Sequence, residues 1–393
     1  MSSTTLTQQK STVSGDIPKT TILLQDTQTY KECNFNVYYK ENWEKCKPRF
    51  EAWWNRSATD RPLVQVECRR NIPLPYRPVA KPNSVEMLWT DADYRIDAFE
   101  EYASQRYYGG DSFPDFSTDI GPGSLALFLG SQPTFMPDTV WYNKCLNGLD
   151  DPLPDYNPDN KWWQANLNIC KRGVERLREK AIVTIPDLIE GLDILASLRG
   201  TSELLFDIVE RPDDVHRWLR RINKLYFDYY DRIYDVIKDE NGGSAFVGFK
   251  VWGPGRVAKL QCDISAMISP EMFEEFVAPY LQEQCRKLDY TVYHLDGPEA
   301  IRHLDILCSI PELDAIQWTS GAGNPGMGDP VWMPIYRKIR SANKSALILF
   351  VTPKEAEAII SELGHEGLNF YIPAENEEEA DEIVKQSANW RKS

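Results

Sequence analysis

The sequence has few basic residues for its size, and its apolar residues never form a long uninterrupted run. Of 393 residues, 44 are Lys or Arg and 59 are Asp or Glu, which gives a formal net charge of −15. Phosphate binding needs a basic surface, so this balance argues against nucleic acid or an anionic membrane as a partner. No segment has the apolar length of a membrane helix, and the polar amino terminus lacks the apolar stretch of a secretory signal. The sequence therefore predicts a cytoplasmic protein.

The eight cysteines are scattered, and no two of them form a Cys-x-x-Cys pair. The spacing of a zinc ribbon is therefore absent, and a chain of this length does not need disulfides to fold. We expect reduced thiols, as in other proteins of the cytoplasm. The hydrophobic residues make up 42% of the chain, and this fraction is ample for a folded core.

Apolar segments along the chain predict strands that alternate with helices. Segments rich in β-branched and aromatic residues predict strands at 63–68, 181–185, 245–249, 291–294, 315–318, 346–351 and 369–372, with a weaker one at 113–116. Helical patterns follow most of them, including one over 270–287, and the alternation predicts a mostly parallel sheet. About eight such strands close a (βα)8 TIM barrel. The alternative is an open doubly wound sheet, but no Gly-rich phosphate loop follows the first strand.

Two regions depart from this α/β pattern. Residues 1–28 are rich in Ser, Thr and Gln and predict a disordered tail. Residues 70–165 contain many Pro, Trp and Tyr residues and predict an irregular insertion. The sequence therefore predicts one TIM-barrel domain over residues 29–393, preceded by the tail.

The segment YHLDGPEAIRHLD, residues 293–305, is the strongest indication of chemistry. His294 and Asp296 are two residues apart at the end of a predicted strand, so their side chains share a face. With another carboxylate they could hold a divalent metal such as zinc. Alternatively, Asp296 or Asp119 could act as a general acid or base. The structural alternative is a hydrogen-bonded core histidine followed by an aspartate that begins a helix.

Polar and aromatic side chains also follow the other predicted strands. They are Arg69, Arg70, Asp119, Asp187, Lys250, Trp252, Gln317, Trp318 and Glu375. The active site of a barrel requires such groups to converge from several strands, although each one alone could belong to a turn or a helix cap. Arg69 and Arg70 suit a carboxylate or phosphate, because a guanidinium group donates two parallel hydrogen bonds. All except Asp119 and Glu375 are predicted to contact substrate.

Four segments resemble the uroporphyrinogen decarboxylase superfamily, which also contains the cobalamin-dependent methyltransferases. They are FEAWWNRSATDRPLVQVE, DFSTDIGPGSLALFLG, PDLIEGLDILASLRGTSELLFDIVERPDDV and CDISAMISPEMFEEFVAPYL, with YHLDGPEAIRHLD after the last. The resemblance covers most of residues 40–385. It implies a (βα)8 barrel with its site at the carboxyl ends of the strands. Asp119 is the closest match to the decarboxylase aspartate that binds pyrrole nitrogens, but CRRNIPLPYRP replaces the decarboxylases' Arg-rich motif.

The same resemblance leaves three functions open. Its methyltransferases bind zinc through His-x-Cys and a later Cys; His294 matches the histidine, Asp296 replaces the first cysteine, and Glu375 is the nearby candidate for the third ligand. The first hypothesis is methyl transfer from a small substrate to a corrinoid on a partner protein, with a metal held by these residues. A cofactor-free decarboxylase that uses Asp119 is the second. The third is a non-catalytic barrel that binds a small molecule or a sugar. The substrate and the formation of a homodimer stay open.

Overall fold

The computed structural model describes residues 38–40 and 42–392, in which strands and helices alternate. The strands are β1 (Leu63–Arg69), β2 (Arg106–Gly110), β3 (Asp115–Phe116), β4 (Gln132–Phe135), β5 (Val140–Asn143), β6 (Ile182–Val183), β7 (Ser244–Phe246), β8 (Val251–Gly253), β9 (Val257–Gln261), β10 (Tyr290–Asp296), β11 (Ala315–Thr319), β12 (Ser345–Ile348) and β13 (Leu368–Pro373). The α-helices are α1 (Trp43–Asn55), α2 (Val85–Thr90), α3 (Ala92–Ser104), α4 (Leu125–Phe128), α5 (Lys161–Leu177), α6 (Gly191–Arg199), α7 (Thr201–Glu210), α8 (Pro212–Ile237), α9 (Pro270–Phe276), α10 (Ala278–Lys287), α11 (Leu304–Ser309), α12 (Met333–Ser341), α13 (Pro353–Leu363) and α14 (Glu377–Ser387).

Seven strands form one sheet in the order β2-β1-β13-β12-β11-β10-β9. Strand β2 is antiparallel to β1, and all the other pairs are parallel. Strand β3 pairs with β6 in parallel, while β4–β5 and β7–β8 are antiparallel. A single bridge from Ile185 to Phe246 connects the β6 end to β7. In the described part of the chain these ladders do not close into a ring. The mixed, mostly parallel α/β fold is confirmed, and the closed barrel stays a prediction.

Most predicted strands are found, but the sequence pattern missed β9 (Val257–Gln261). This strand carries Lys259 and Gln261 on one face, so it lacks an apolar run. The predicted helix at 270–287 is two helices, because Pro279 removes a backbone donor near the start of α10 and the chain breaks at Val277. The predicted tail, 1–28, lies outside the described residues. The boundary of the single predicted domain at residue 29 also lies outside them and stays a prediction.

Helix α1 covers the ends at which the strands of the sheet begin. Its Trp43, Phe50, Trp53 and Trp54 belong to one buried cluster with Leu63, Val257, Val292, Ala315 and Leu347, which lie near the beginnings of their strands. The indole of Trp54 donates to the carbonyl of Trp252 at 2.8 Å, and that of Trp53 donates to the carbonyl of Ala346 at 3.3 Å. Trp252, predicted to contact substrate, therefore packs against α1. None of the helices in the described range is long and apolar enough to cross a membrane.

Helix α13 begins with a capping box. The hydroxyl of Thr352 accepts from the backbone N–H of Glu355 at 3.3 Å, and the Glu355 carboxylate accepts from the N–H of Thr352 at 2.7 Å. We expect Thr352→Ala to lower the free energy of unfolding by about 1 kcal/mol, because one helix N–H then loses its partner. Urea unfolding measures this loss, and Glu357→Ala in the exposed middle of the helix is the control. Equal losses in the two variants would contradict the capping role.

Candidate active site

One face of the seven-stranded sheet changes from apolar to polar along its strands. At the start of β10 and β11, Val292 is opposite Ala315, and two residues later His294 is opposite Gln317. On the other side of β10, His294 is opposite Gln261 of β9. Because residues two apart in a strand share a face, these polar side chains meet towards the carboxyl ends of three parallel strands. This is the end of the sheet away from α1.

Gln317 determines which nitrogen of His294 carries the proton. The Gln317 Nε2 donates to the carbonyl of Trp318 at 2.6 Å and to the hydroxyl of Thr319 at 2.9 Å. Its Oε1 therefore faces His294 Nδ1, at 2.5 Å. An amide oxygen only accepts hydrogen bonds, so this network assigns the proton to Nδ1 and leaves a lone pair on Nε2.

The free Nε2 of His294 faces a carboxylate in a partly buried setting. It lies 3.9 Å from Asp296 Oδ2, and the side chains of His294 and Asp296 are 18% and 48% exposed. The ring of Phe249 packs against the imidazole with a centroid separation of 5.3 Å. Burial lowers the pKa of His294 below its ordinary 6.5, and the nearby Lys259 ammonium lowers it further. His294 is therefore neutral at pH 7 and has the form of a base.

A buried ion pair lies beside His294. The ammonium of Lys259, on a side chain only 4% exposed, is 2.8 Å from the carboxylate of Asp187. It also donates to the amide oxygen of Gln261, whose Nε2 donates to Asp263 at 3.1 Å. Burial raises the pKa of Asp263. Lys259, Gln261 and Asp263 were missed by the sequence analysis along with β9, although polar residues at i, i+2 and i+4 were a usable signal. We call His294, Asp296, Gln317, Lys259 and Asp187 the His294 site.

Asp119 holds the backbone of Asp187 in this site. One of its carboxylate oxygens accepts from the backbone N–H of Asp187, and the other accepts from the hydroxyl of Ser117 at 2.9 Å. The guanidinium of Arg95 donates to the carbonyl oxygens of Asp119, at 2.5 Å, and Ser117, at 2.7 Å. Both carboxylate oxygens of Asp119 are thus engaged within the protein. This arrangement holds Asp187 against Lys259.

Asp119 also predicts a pH dependence of stability. Burial, with the charge of Asp187 in addition, raises the pKa of Asp119 from 3.8 to about 6. The folded state then binds this proton more tightly than the unfolded state, so stability falls as the pH rises through this window. Asp119→Asn removes the titration but keeps an acceptor for the N–H of Asp187. We expect urea unfolding to show the wild type losing stability relative to Asp119→Asn between about pH 4 and pH 6. Exposed Asp138→Asn is the control, and parallel curves for wild type and Asp119→Asn would contradict the assignment.

Lys250 lies in a separate buried cluster at the same end of the strands. Its ammonium is 2.5 Å from Asp115 and 3.0 Å from Glu67, and the Glu67 carboxylate accepts from the hydroxyl of Ser112 at 2.5 Å. Burial opposes the charge, yet the two carboxylates raise the pKa of Lys250 well above its ordinary value. Its backbone has φ 49°, an unusual conformation for a residue other than glycine. Lys250 therefore acts as a fixed cation that joins β1 to β3.

Three other predicted substrate contacts lie elsewhere in the structure. Arg69 is exposed at the end of β1. The guanidinium of Arg70 donates to the carbonyl of Tyr39 at 3.3 Å and lies over the ring of Tyr107. Trp318 follows Gln317 in the strand and so points to the opposite face, where it is fully buried against Trp332. The structure does not bring these three side chains to His294.

The predicted zinc ligands do not form a three-residue group. Glu375 is exposed, and its backbone N–H donates to the carboxylate of Glu379 at 2.7 Å. Over residues 38–40 and 42–392, no three His, Cys, Asp or Glu side chains are arranged to hold a metal ion. His294 and Asp296 together supply two of the three protein ligands that a catalytic zinc site uses. The residues present therefore do not fit the predicted zinc.

Comparison with known proteins identifies a similar fold. No protein-family model matches the sequence, and no curated protein sequence matches it either. A solved structure of a methyltransferase from Methanosarcina mazei is similar, with a TM-score of 0.54 and 12% sequence identity. The match covers 88% of this chain and 98% of that chain. At this identity the likeness establishes a shared fold.

Proposed function

We propose that this chain is an enzyme of methyl transfer in which His294 is the general base. The observation that carries the proposal is the His294 imidazole, which is neutral, has its Nδ1 proton held by Gln317 and has a free lone pair on Nε2. The similarity to the fold of the Methanosarcina mazei methyltransferase supports the reaction class. The proposed substrate is a small molecule. The methyl group is transferred between this molecule and a corrinoid on a separate protein.

The geometry suits the removal of a proton from a methyl acceptor. A heteroatom that carries hydrogen is a weak nucleophile until a base takes its proton. His294 Nε2 accepts that proton while the heteroatom forms its bond to the methyl carbon and the bond from that carbon to the donor breaks. The resulting imidazolium is stabilised by Asp296, 3.9 Å away. In the reverse reaction, demethylation, the imidazolium returns the proton to the leaving heteroatom.

The rest of the His294 site prepares this base. Lys259 disfavours a second proton on the imidazole, so Nε2 is free before the reaction starts. Asp187 neutralises Lys259 at 2.8 Å, and Asp119 holds Asp187 in that position. No step is assigned to a metal, because the residues present do not form its ligand set. The observed hydrogen bonds of Asp119 give it a role in positioning Asp187, and no observation favours the decarboxylase alternative.

The proposal includes a closed (βα)8 barrel. The parallel β3–β6 pair continues through the Ile185–Phe246 bridge to β7, and β7 packs beside β9 at one edge of the large sheet. Near the other edge, where β2 lies beside β1, Lys250 joins Glu67 of β1 to Asp115 of β3. These contacts support a proposed position of the short strands between β1 and β9. With them, the carboxyl ends of all the parallel strands would surround the His294 site.

The reaction class is tested with free methylcobalamin as the methyl donor, because His294 acts as a base in this direction. The purified full chain is incubated anaerobically with panels of alcohols, amines and thiols, and the formation of cob(I)alamin is followed by its absorbance. We expect transfer to at least one class of compound, at a rate proportional to enzyme concentration. A folded enzyme that transfers no methyl group but releases carbon dioxide from carboxylate substrates would overturn the proposal in favour of a decarboxylase.

The protonation state of His294 is tested separately by NMR titration of the histidine rings, with His294→Asn used for assignment. We expect His294 to titrate below 6.5, because burial and Lys259 disfavour the imidazolium. The folded state then binds this proton less tightly than the unfolded state. The stability that the neutral His294 contributes is therefore lost as the pH falls from about 6.5 through the lower pKa of the folded protein. Lys259→Met should raise the pKa of His294. A midpoint at or above 6.5 in the wild type would contradict a neutral base.

A further inference from the structure

A small cavity lies between α6, α10 and β9, next to the His294 site and separate from it. Its volume is about 10 Å³. The polar residues of its lining are Glu190, Gln261, Cys262, Tyr280 and Gln284. A cavity of this volume holds about one water molecule, provided that its walls offer two to four polar partners.

Two buried side chains in the cavity wall have polar atoms without partners. Gln284 is fully buried, and neither its Oε1 nor its Nε2 has a hydrogen-bond partner among the described residues. Glu190 is 5% exposed; its Oε1 accepts from the backbone N–H of Gln261 at 2.8 Å, while its Oε2 has no partner in this part of the chain. Folded proteins rarely leave such groups unpaired, and ordered water is a common partner for them.

We propose that this cavity is the site of one buried water molecule, which joins the amide of Gln284 to the carboxyl group of Glu190. Water is the small ligand that fits, because it donates and accepts hydrogen bonds and the wall offers both kinds of partner. An apolar ligand would leave the polar atoms unpaired. The site is distinct from the proposed function, since the water is not at the reacting atoms.

The direction of the hydrogen bonds follows from the protonation of Glu190. Burial raises the pKa of Glu190 well above its ordinary value and so favours the protonated carboxyl group. The proton on Oε2 is then donated to the water, and the water donates to Oε1 of Gln284. Oε1 of Glu190 continues to accept from the N–H of Gln261. The chain of bonds therefore runs from α10 through the water to β9.

Glu190, Gln284 and the water between them support a strained loop of the His294 site. Glu190 lies between Ile189, with φ 55°, and Gly191, with φ 56°, in the loop that also carries Asp187. A residue other than glycine holds such a conformation only when its surroundings enforce it. The bonds from Glu190 to Gln261 and, through water, to Gln284 fasten this loop to β9 and α10. The water site thus helps to maintain the Asp187–Lys259 ion pair.

A crystal structure of the full chain that resolves ordered water tests the site directly. We expect one density peak at about 2.7–3.2 Å from polar atoms of both Gln284 and Glu190. An empty cavity in which the Gln284 amide bonds directly to Glu190 would overturn the proposal. A monovalent cation in the cavity, coordinated by an ionised Glu190, would overturn it as well.

Infrared difference spectroscopy tests the same site in solution. Subtracting the spectrum of Glu190→Gln from that of the wild type at neutral pH should isolate the carbonyl band of one protonated carboxylic acid. Gln284→Met removes the amide partner and fills the cavity, so in the folded variant this band should move to the frequency of a less hydrogen-bonded acid. Circular dichroism checks that both variants are folded. A missing band in the wild type, or an unmoved band in folded Gln284→Met, overturns the proposal.

Discussion

His294→Ala is expected to lower kcat/KM for methyl transfer by a factor of about 10²–10⁴, the usual contribution of a positioned general base. The variant loses the only group of the His294 site that is both neutral and free to accept a proton. The cobalamin absorbance assay measures this loss. Because the imidazole is 18% exposed, its removal opens the site and should leave the global fold intact.

Two further variants distinguish base catalysis from a structural role. Gln317→Leu keeps the imidazole but removes the oxygen that accepts from its Nδ1–H. We therefore expect a smaller loss of kcat than in His294→Ala, together with an altered pH profile. His365→Ala, in a turn before β13, is the matched control and should leave turnover unchanged. If His294→Ala retained the wild-type rate, the proposed role of His294 would be lost.

Asp111→Ala is expected to lower the free energy of unfolding by about 3–5 kcal/mol, the usual cost of breaking a buried ion pair. Asp111 is fully buried, and its carboxylate is 2.5 Å from the guanidinium of Arg61 and 3.1 Å from that of Arg49. It also accepts from the backbone N–H of Val64 at 3.1 Å. The substitution leaves the nearly buried Arg61 without its partner at the start of β1.

Urea unfolding measures this loss, with Lys144→Ala as the matched control. Lys144 pairs with Glu203 at 2.6 Å, but both side chains are well exposed, at 60% and 37%. Water and salt screen such a pair, so we expect a loss of at most about 1 kcal/mol. Similar losses in Asp111→Ala and Lys144→Ala would show that burial of the Asp111 network contributes little to stability.

Strands β10 and β9, which carry residues of the His294 site, show which strands a sequence pattern can predict. Strand β10 is recognisable because Tyr290–Tyr293 is apolar and β-prone, and the spacing of His294 and Asp296 puts both on one face. Strand β9 carries Lys259 and Gln261 on its inner face, because that face is turned to the polar site. The polar residues that β9 contributes to the site therefore interrupt the apolar run by which a strand is recognised in a sequence.

The loops after the strands were less predictable. Trp252 and Lys250 are two residues apart, yet Trp252 packs against α1 while Lys250 bonds to Asp115. A reversal of the chain with φ 49° at Lys250 separates them, and no local pattern predicts this conformation at a lysine. Glu375, which the family resemblance puts with His294, is exposed, and its backbone N–H donates to the carboxylate of Glu379.

The sequence by itself determined the α/β class, most strands of the sheet and the common direction of His294 and Asp296. These features follow from local periodicity, which is set by backbone geometry over a few residues. Only the tertiary structure decided that Gln317 orients His294, that Lys259 and Asp187 flank it, and that Asp119 stands behind them. Those contacts join residues from 23 to 72 positions apart in the chain. Packing brings these residues together, and burial shifts the pKa values that determine which of them are charged in the folded protein.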